Sequence, residues 1–303
     1  MCGDMPETVK GVEEAVILNP AGFPTDQDFA TDTVTIPLKL TNLPPFHSIA
    51  NQVLAMSADP DIDLQRLARV MLGDPAFAAE VLFLANSSLF GFASKMQVLR
   101  HAVAVLGIER IKALAITVAM RAFLGNGGPL IHQCWRHSAA CAIIAEEISP
   151  IFDFSGDRAY TMGLMHDVGR LGLLKSYAND ISPVISGEYK DMDEILEAER
   201  AAVNVDHALA GAWLVKKWEF PVEFAETCAR HHEPCGPSDS PLMKVVKISC
   251  RLADALDCAA VRRHSPPTYT DIVESLPTHL NRQFPMEGEL RMNVERRLKS
   301  FEG

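Results

Sequence analysis

Ten histidines occur in the 303-residue chain, and the ones that matter for chemistry form an ordered series. They are His137, the adjacent pair His166-Asp167, His207, the adjacent pair His231-His232, and then Asp254, with His132 just upstream of the first. Imidazole and carboxylate together suit iron, manganese, nickel or zinc, whereas calcium and magnesium prefer all-oxygen shells. Asp167 can bridge two such ions while His166 ligates one of them. Two carboxylates against two divalent ions leave a net positive site. Such a site attracts a phosphate ester, lowers the pKa of a bound water and stabilises both oxygens of an in-line displacement.

Each residue also has a plainer reading. A single histidine on an apolar helix face is usually a hydrogen-bonded core residue. His207 can be the first residue of a helix capped by Asp206, His231-His232 a helix end where positive charge meets free carbonyls, and Asp254 an exposed partner of Arg251. The series as a whole can also be a structural polar core without an ion. What separates these readings is convergence in space.

Convergence requires helices packed round one core. Neighbouring residues on a helix diverge by about 100°, so His166 and Asp167 can share a metal only where their side chains bend round a common point. Helical signals are dense from Leu43 onward and strand-type alternation is nearly absent, which predicts an all-α chain. Pro44-Pro45 precede a helix over about 46–57. Asp74-Pro75 opens another, with Asp as N-cap, Pro at the first position and an apolar stripe of Phe77, Val81, Leu82, Leu84 and Ala85. Asn86-Ser87-Ser88 closes it, and 91–96 reads as a loop. Helices near 97–106 and 108–124 meet at Gly107, and the run from Gly125 to Pro129 is a breaker. Further helices are predicted near 130–148, 157–175, 178–186, 192–203, 205–218, 221–231 and 241–258, with a charged, exposed one near 287–301. The resulting division is an arm over 1–40, a helical bundle over 41–128, a second helical region over 129–262 and a C-terminal extension over 263–303. Turn signals at Asn19-Pro20, Gly22 and Pro24 mark the arm, and a short extended piece over 33–40 is able to pair as a strand.

Composition narrows the partners. Apolar residues make up 48% and charged residues 22%, with a net charge of -11. An acidic surface repels phosphate backbones, so general nucleic-acid binding is not expected. Arg262-Arg263 and the group Arg291, Arg296, Arg297 and Lys299 read as solvated surface. No run approaches the roughly 18 apolar residues of a membrane span, and the first residues lack a signal-peptide pattern, so a cytoplasmic location is expected. Seven cysteines without a C-x-x-C pair read as reduced, buried thiols. Cys228, one turn before His231, is among them. Trp135, Trp213 and Trp218 read as core or groove residues.

The stretch Gly163-Leu164-Met165-His166-Asp167-Val168-Gly169-Arg170 resembles the central motif of the HD superfamily of metal-dependent phosphohydrolases. The wider histidine order is similar to the HD-GYP branch, which cleaves cyclic dinucleotides at a site of two or three metals. That resemblance implies an HD-like fold and places His137, His166, Asp167, His207, His231, His232 and Asp254 on metal-ligand positions. It also implies two divalent transition ions, Asp167 as the bridging group and Arg170 against a nucleotide phosphate. The chain departs from the branch at Arg170, where lysine is typical, and at Pro234-Cys235-Gly236-Pro237, which replaces the glycine-tyrosine-proline signature. Leu43-Pro44, Asp74-Pro75, Leu84-Ala85-Asn86-Ser87 and the stretch from Ala102 to Gly107 resemble the HDOD family. HDOD domains are helical output modules of bacterial signalling proteins. That resemblance implies a regulatory role exercised through a protein partner, with metal-dependent hydrolysis of a nucleotide or cyclic dinucleotide as the alternative.

Overall fold

A computed structural model describes residues 16–18, 34–56, 63–87 and 95–299. The first elements are a short antiparallel pair, β1 (Val16–Leu18) and β2 (Val34–Ile36), with Val16 opposite Ile36. A one-turn helix, α1 (Leu38–Thr41), follows. Ile36 and Leu40 are buried in the core, and the Lys39 amide donates to the Tyr177 hydroxyl at 3.0 Å. The end of the expected loose arm is therefore anchored. The turn signals at Asn19-Pro20, Gly22 and Pro24, and most of the 91–96 loop, lie outside the described residues.

The next four helices are α2 (Ser48–Met56), α3 (Leu64–Leu72), α4 (Pro75–Ala85) and α5 (Leu99–Leu124). The Asp-Pro start works as expected: Asp74 accepts the Phe77 amide at 3.0 Å and Pro75 opens α4. Asp63 caps α3 in the same manner, accepting the Gln65 amide at 2.8 Å; this helix is an addition to the expected set. Gly107 breaks α5 with φ 76° and ψ 171°, a conformation cheap only for glycine, so the two predicted helices do meet there.

α6 (Pro129–Ile148) is the axis of the rest. Every residue from His137 to Ala145 is buried, so this helix is covered on all sides. Its neighbours include α7 (Gly156–Met165), α13 (Pro241–Ala255) and α16 (Glu287–Leu298). Between them run α8 (Val168–Ser176), α9 (Ala178–Ser186), α10 (Met192–Val203), α11 (His207–Lys217) and α12 (Val222–Arg230). Short helices α14 (Tyr269–Glu274) and α15 (Thr278–Asn281) precede α16. The second half of α5 packs on α7, where Thr117 and Tyr160 hydroxyls lie 3.2 Å apart, so both helical groups share one core. Trp218 belongs to it: its ring sits 5.1 Å from Phe46 and its Nε1 donates to the Pro44 carbonyl at 3.2 Å.

Several surface expectations are corrected. α16 is not exposed throughout, because Leu290, Val294 and Leu298 recur every four residues and are buried. Arg297 is buried too, paired with Glu146, which also holds Arg110 at 2.7 Å. Arg262-Arg263 forms β4, a two-residue strand parallel to β3 (Glu188–Tyr189), and only Arg262 is exposed. Five cysteines are buried free thiols, whereas Cys235 is exposed. No helix among the described residues is long and apolar enough to cross a membrane.

Candidate metal centre

The region predicted as one helix over 157–175 is two. α7 stops at Met165, His166 is its C-cap, and Asp167 (φ -108°, ψ 21°) starts α8. This break is what lets two adjacent side chains turn towards one point, which a continuous helix forbids. Glycines set the depth. A Cβ at Gly163 would come within 2.9 Å of the Ala142 backbone, so α7 lies directly on α6, which carries His137.

Four histidines share one arrangement. His166 Nδ1 faces its own Gly163 carbonyl at 2.6 Å, and His231, the C-cap of α12, faces its Cys228 carbonyl at 2.7 Å. His137 Nδ1 faces the Cys258 carbonyl at 3.0 Å, and His207 Nδ1 faces Glu199 Oε2 at 2.6 Å. Carbonyl oxygen only accepts, so Nδ1 carries the proton in the first three rings. The Glu199 carboxylate imposes the same tautomer on His207. Each ring then presents a lone pair at Nε2, as metal-bound histidines do when a second group holds the far nitrogen. Ring centroids lie 5.3 Å apart for His137–His166, 4.8 Å for His166–His231 and 5.4 Å for His207–His231. His232 completes the group, with its Nε2 2.8 Å from that of His207.

Arg170 occupies the middle of this cluster. Its Nε donates to Asp167 Oδ2 at 2.9 Å, its Nη1 to Glu199 Oε1 at 3.0 Å and its Nη2 to His207 Nε2 at 2.9 Å. Its exposure is 2%, that of Asp167 1% and that of Glu199 zero. Burial alone would raise the Asp167 carboxyl, but Arg170 and then His207 hold it well below the usual carboxylate range. Burial pushes the His166 imidazole down to about 3 and lowers His231 as well, so both stay neutral.

Asp254 is placed differently from the rest. Its Oδ1 lies 3.4 Å from His137 Nδ1, on the far side of that ring from Nε2, and its Oδ2 accepts from Arg263 at 2.6 Å. It is a buried partner of Arg263, not an exposed partner of Arg251. The short strand β4 thus delivers the arginine that neutralises Asp254. Burial raises the Asp254 carboxyl, which His137 and Arg263 oppose.

Sequence reasoning misses two members of the cluster. Glu199, on α10, accepts the His207 amide at 2.8 Å as well as its Nδ1. Nothing in its local sequence, Glu197-Ala198-Glu199-Arg200, distinguishes it from a solvated helix face. Cys250 lies one helical turn before Asp254, a spacing that does signal a shared face, and its Sγ is 3.6 Å from His137 Nε2. Cys228, by contrast, donates its thiol to the Met165 carbonyl at 3.5 Å, and burial raises its pKa, so it is inert core.

The donors fit a divalent transition metal. Ligand atoms of His137, His166 and Cys250 lie within 4.8 Å of one another, as do those of His207, His231 and His232. His166 Nε2, His231 Nε2 and Asp167 Oδ1 are buried without any hydrogen-bond partner. Each such atom costs about 1–3 kcal/mol when left unsatisfied. Buried imidazole nitrogens and a carboxylate oxygen left open in this way are donors of the kind a divalent transition metal takes.

The HDOD domain family matches residues 43–234, a span that holds six of the seven expected ligands and excludes Asp254. An HDOD domain protein of unknown function from Geobacter sulfurreducens superposes with a TM-score of 0.67 at 24% identity, covering 86% of this chain and 93% of that one. A protein provisionally named a phosphohydrolase, from Shewanella amazonensis, superposes with a TM-score of 0.65 at 18% identity, covering 87% and 96%. An uncharacterized protein of Treponema pallidum is 23% identical over 96% of this chain, which spans only 56% of that relative's length. The two solved structures share this fold, and with more than half of its residues inside the matched span, the chain belongs to the HDOD domain family.

Proposed function

We propose that this chain is a regulatory HDOD module of bacterial signalling that acts by engaging a protein partner, built round a metal-binding histidine centre. One observation carries the choice of regulation over hydrolysis. Arg170, the residue expected to clamp a substrate phosphate, is buried and spends its guanidinium on Asp167, Glu199 and His207. Three of the five guanidinium N–H donors are committed to these partners, and with 2% of the residue exposed almost none of it is open to a phosphate. The residues that would hold an ion are His166, His231 and Asp167, with His137, His207 and His232 around them. A divalent ion bound there would supply Lewis acidity and would tie the ends of α7 and α12 together.

Hydrolysis of a nucleotide or cyclic dinucleotide is the second reading, favoured by the buried Asp167 Oδ1, which accepts no hydrogen bond and lies 3.4 Å from His207 Nε2. It requires Arg170 to leave its three bonds and a phosphate ester to reach atoms that are almost wholly enclosed. The test is turnover of a panel of nucleotides and cyclic dinucleotides by the full chain loaded anaerobically with Fe2+ or Mn2+. The regulatory reading expects no turnover above a protein-free metal blank. Turnover that disappears in His166→Gln would overturn it.

A further inference from the structure

The hydrogen bonds of the cluster divide its donors into two sets, and the division falls across a single carboxylate. A carboxylate that bridges two cations offers one oxygen to each. Asp167 offers Oδ2 to Arg170 Nε at 2.9 Å and leaves Oδ1 without a hydrogen-bond partner. The other groups follow the same split. His207 Nε2 and Glu199 Oε1 are engaged by Arg170, and His207 Nε2 also lies 2.8 Å from His232 Nε2 and 3.4 Å from Asp167 Oδ1, while His166 Nε2 and His231 Nε2 have no hydrogen-bond partner.

We infer that Arg170 takes the place of one of the two cations, so that the centre binds a single divalent ion, at Asp167 Oδ1, His166 Nε2 and His231 Nε2. This rests on the metal reading above and refines it. The chemistry of the replacement is specific. A guanidinium is positive at any pH a protein survives and is planar, with five donors pointing outward in a fork. Here that fork reaches a carboxylate, a second carboxylate and an imidazole lone pair together, the kinds of donor a divalent ion would gather. Unlike an ion, it cannot be lost by dilution or chelation. His207 is thereby withdrawn from the ligand set: its Nε2 is engaged by Arg170 at 2.9 Å and faced by His232 Nε2 at 2.8 Å, and its Nδ1 is held by Glu199 at 2.6 Å. Arg170 and His207 become positioning residues that hold Asp167 with Oδ1 facing the ion.

Metal content decides it, using the full chain stripped with chelator, equilibrated with Co2+ and desalted before elemental analysis. One cobalt per chain is expected. His166→Gln and His231→Gln each reduce the bound cobalt at least ten-fold, whereas His207→Gln, which keeps an acceptor for Arg170, retains it. Arg170→Ala opens the second position and raises the content towards two. If that variant does not fold, the three histidine variants still decide the matter through their unequal losses. Two ions in the unaltered chain, or a loss in His207→Gln equal to that in His166→Gln, overturns the role of Arg170 and leaves metal binding intact. No retained cobalt in the unaltered chain overturns metal binding itself.

Discussion

Gly169 and Gly211 meet backbone to backbone where α8 crosses α11. A Cβ at Gly169 would lie 1.9 Å from the His207 carbonyl oxygen and 2.3 Å from the Gly211 amide nitrogen. This contact brings the first turn of α8, with Asp167 and Arg170, within hydrogen-bonding reach of His207 at the first turn of α11. Gly169→Ala must push backbone against backbone, which no side-chain rotation relieves. Overpacking of this sort costs about 1–3 kcal/mol and sometimes more. Chemical denaturation is expected to show a loss at or above the top of that range, together with loss of metal binding. Gly288→Ala, in α16 with open space around it, is the control and is expected to change stability by less than about 1 kcal/mol.

Glu199 accepts from Arg170 Nη1, His207 Nδ1 and the His207 amide. Glu199→Ala leaves a buried guanidinium short of one partner and two His207 donors unpaired. Removing one member of a buried ion pair typically costs about 3–5 kcal/mol. A shift of that size in unfolding free energy, read from urea titration, is expected, with a smaller one for Glu199→Gln, which keeps an acceptor. Equal effects of the two variants would show that the acceptor kept by glutamine contributes nothing.

The fold is far more legible in the sequence than the wiring of the site. Asp74-Pro75 announces α4 because capping and proline chemistry are local, and Gly107 announces its break for the same reason. His137, His166, His207 and His231 stand out as an ordered series, and the structure brings them together. Asp254 reads as a ligand in the sequence; it sits behind His137 instead, because Arg263 arrives from a two-residue strand with no sequence signature. The break between His166 and Asp167 is hidden by the largely apolar run from Tyr160 to Leu174. Burial there is imposed by three-dimensional packing on both sides of the break, which no local pattern records.

The metal-free chain should lose stability as the solution is acidified from about pH 6.5 towards 4.5. His166 and His231 stay neutral when folded because burial disfavours the imidazolium, with His166 lowered to about 3. In the unfolded chain both titrate near 6.5. Below that pH the unfolded state binds more protons, so stability falls with falling pH, by up to about 1.4 kcal/mol per group for each pH unit. Asp254, raised by burial, acts in the opposite direction at the acid end. Urea titrations at several pH values check this, and His166→Gln should flatten the dependence. A pH-independent midpoint across this window would contradict the neutral, buried state of these rings.

Ligand linkage gives a thermal test. Metal at a hundred-fold excess over its dissociation constant stabilises the folded state by about 2.7 kcal/mol, or roughly 5 °C in a chain of this size. Adding Mn2+ or Zn2+ to chelator-treated protein should raise Tm by that order. His166→Gln should show no rise, and an equal rise in both would place the ion outside the cluster.

The most direct measurement is anomalous diffraction from crystals of the full chain grown with Mn2+. An anomalous peak is expected within bonding distance of His166 Nε2, His231 Nε2 and Asp167 Oδ1. Density with no such peak, and with those three atoms hydrogen-bonded to one another or to water, would contradict a metal centre at these residues.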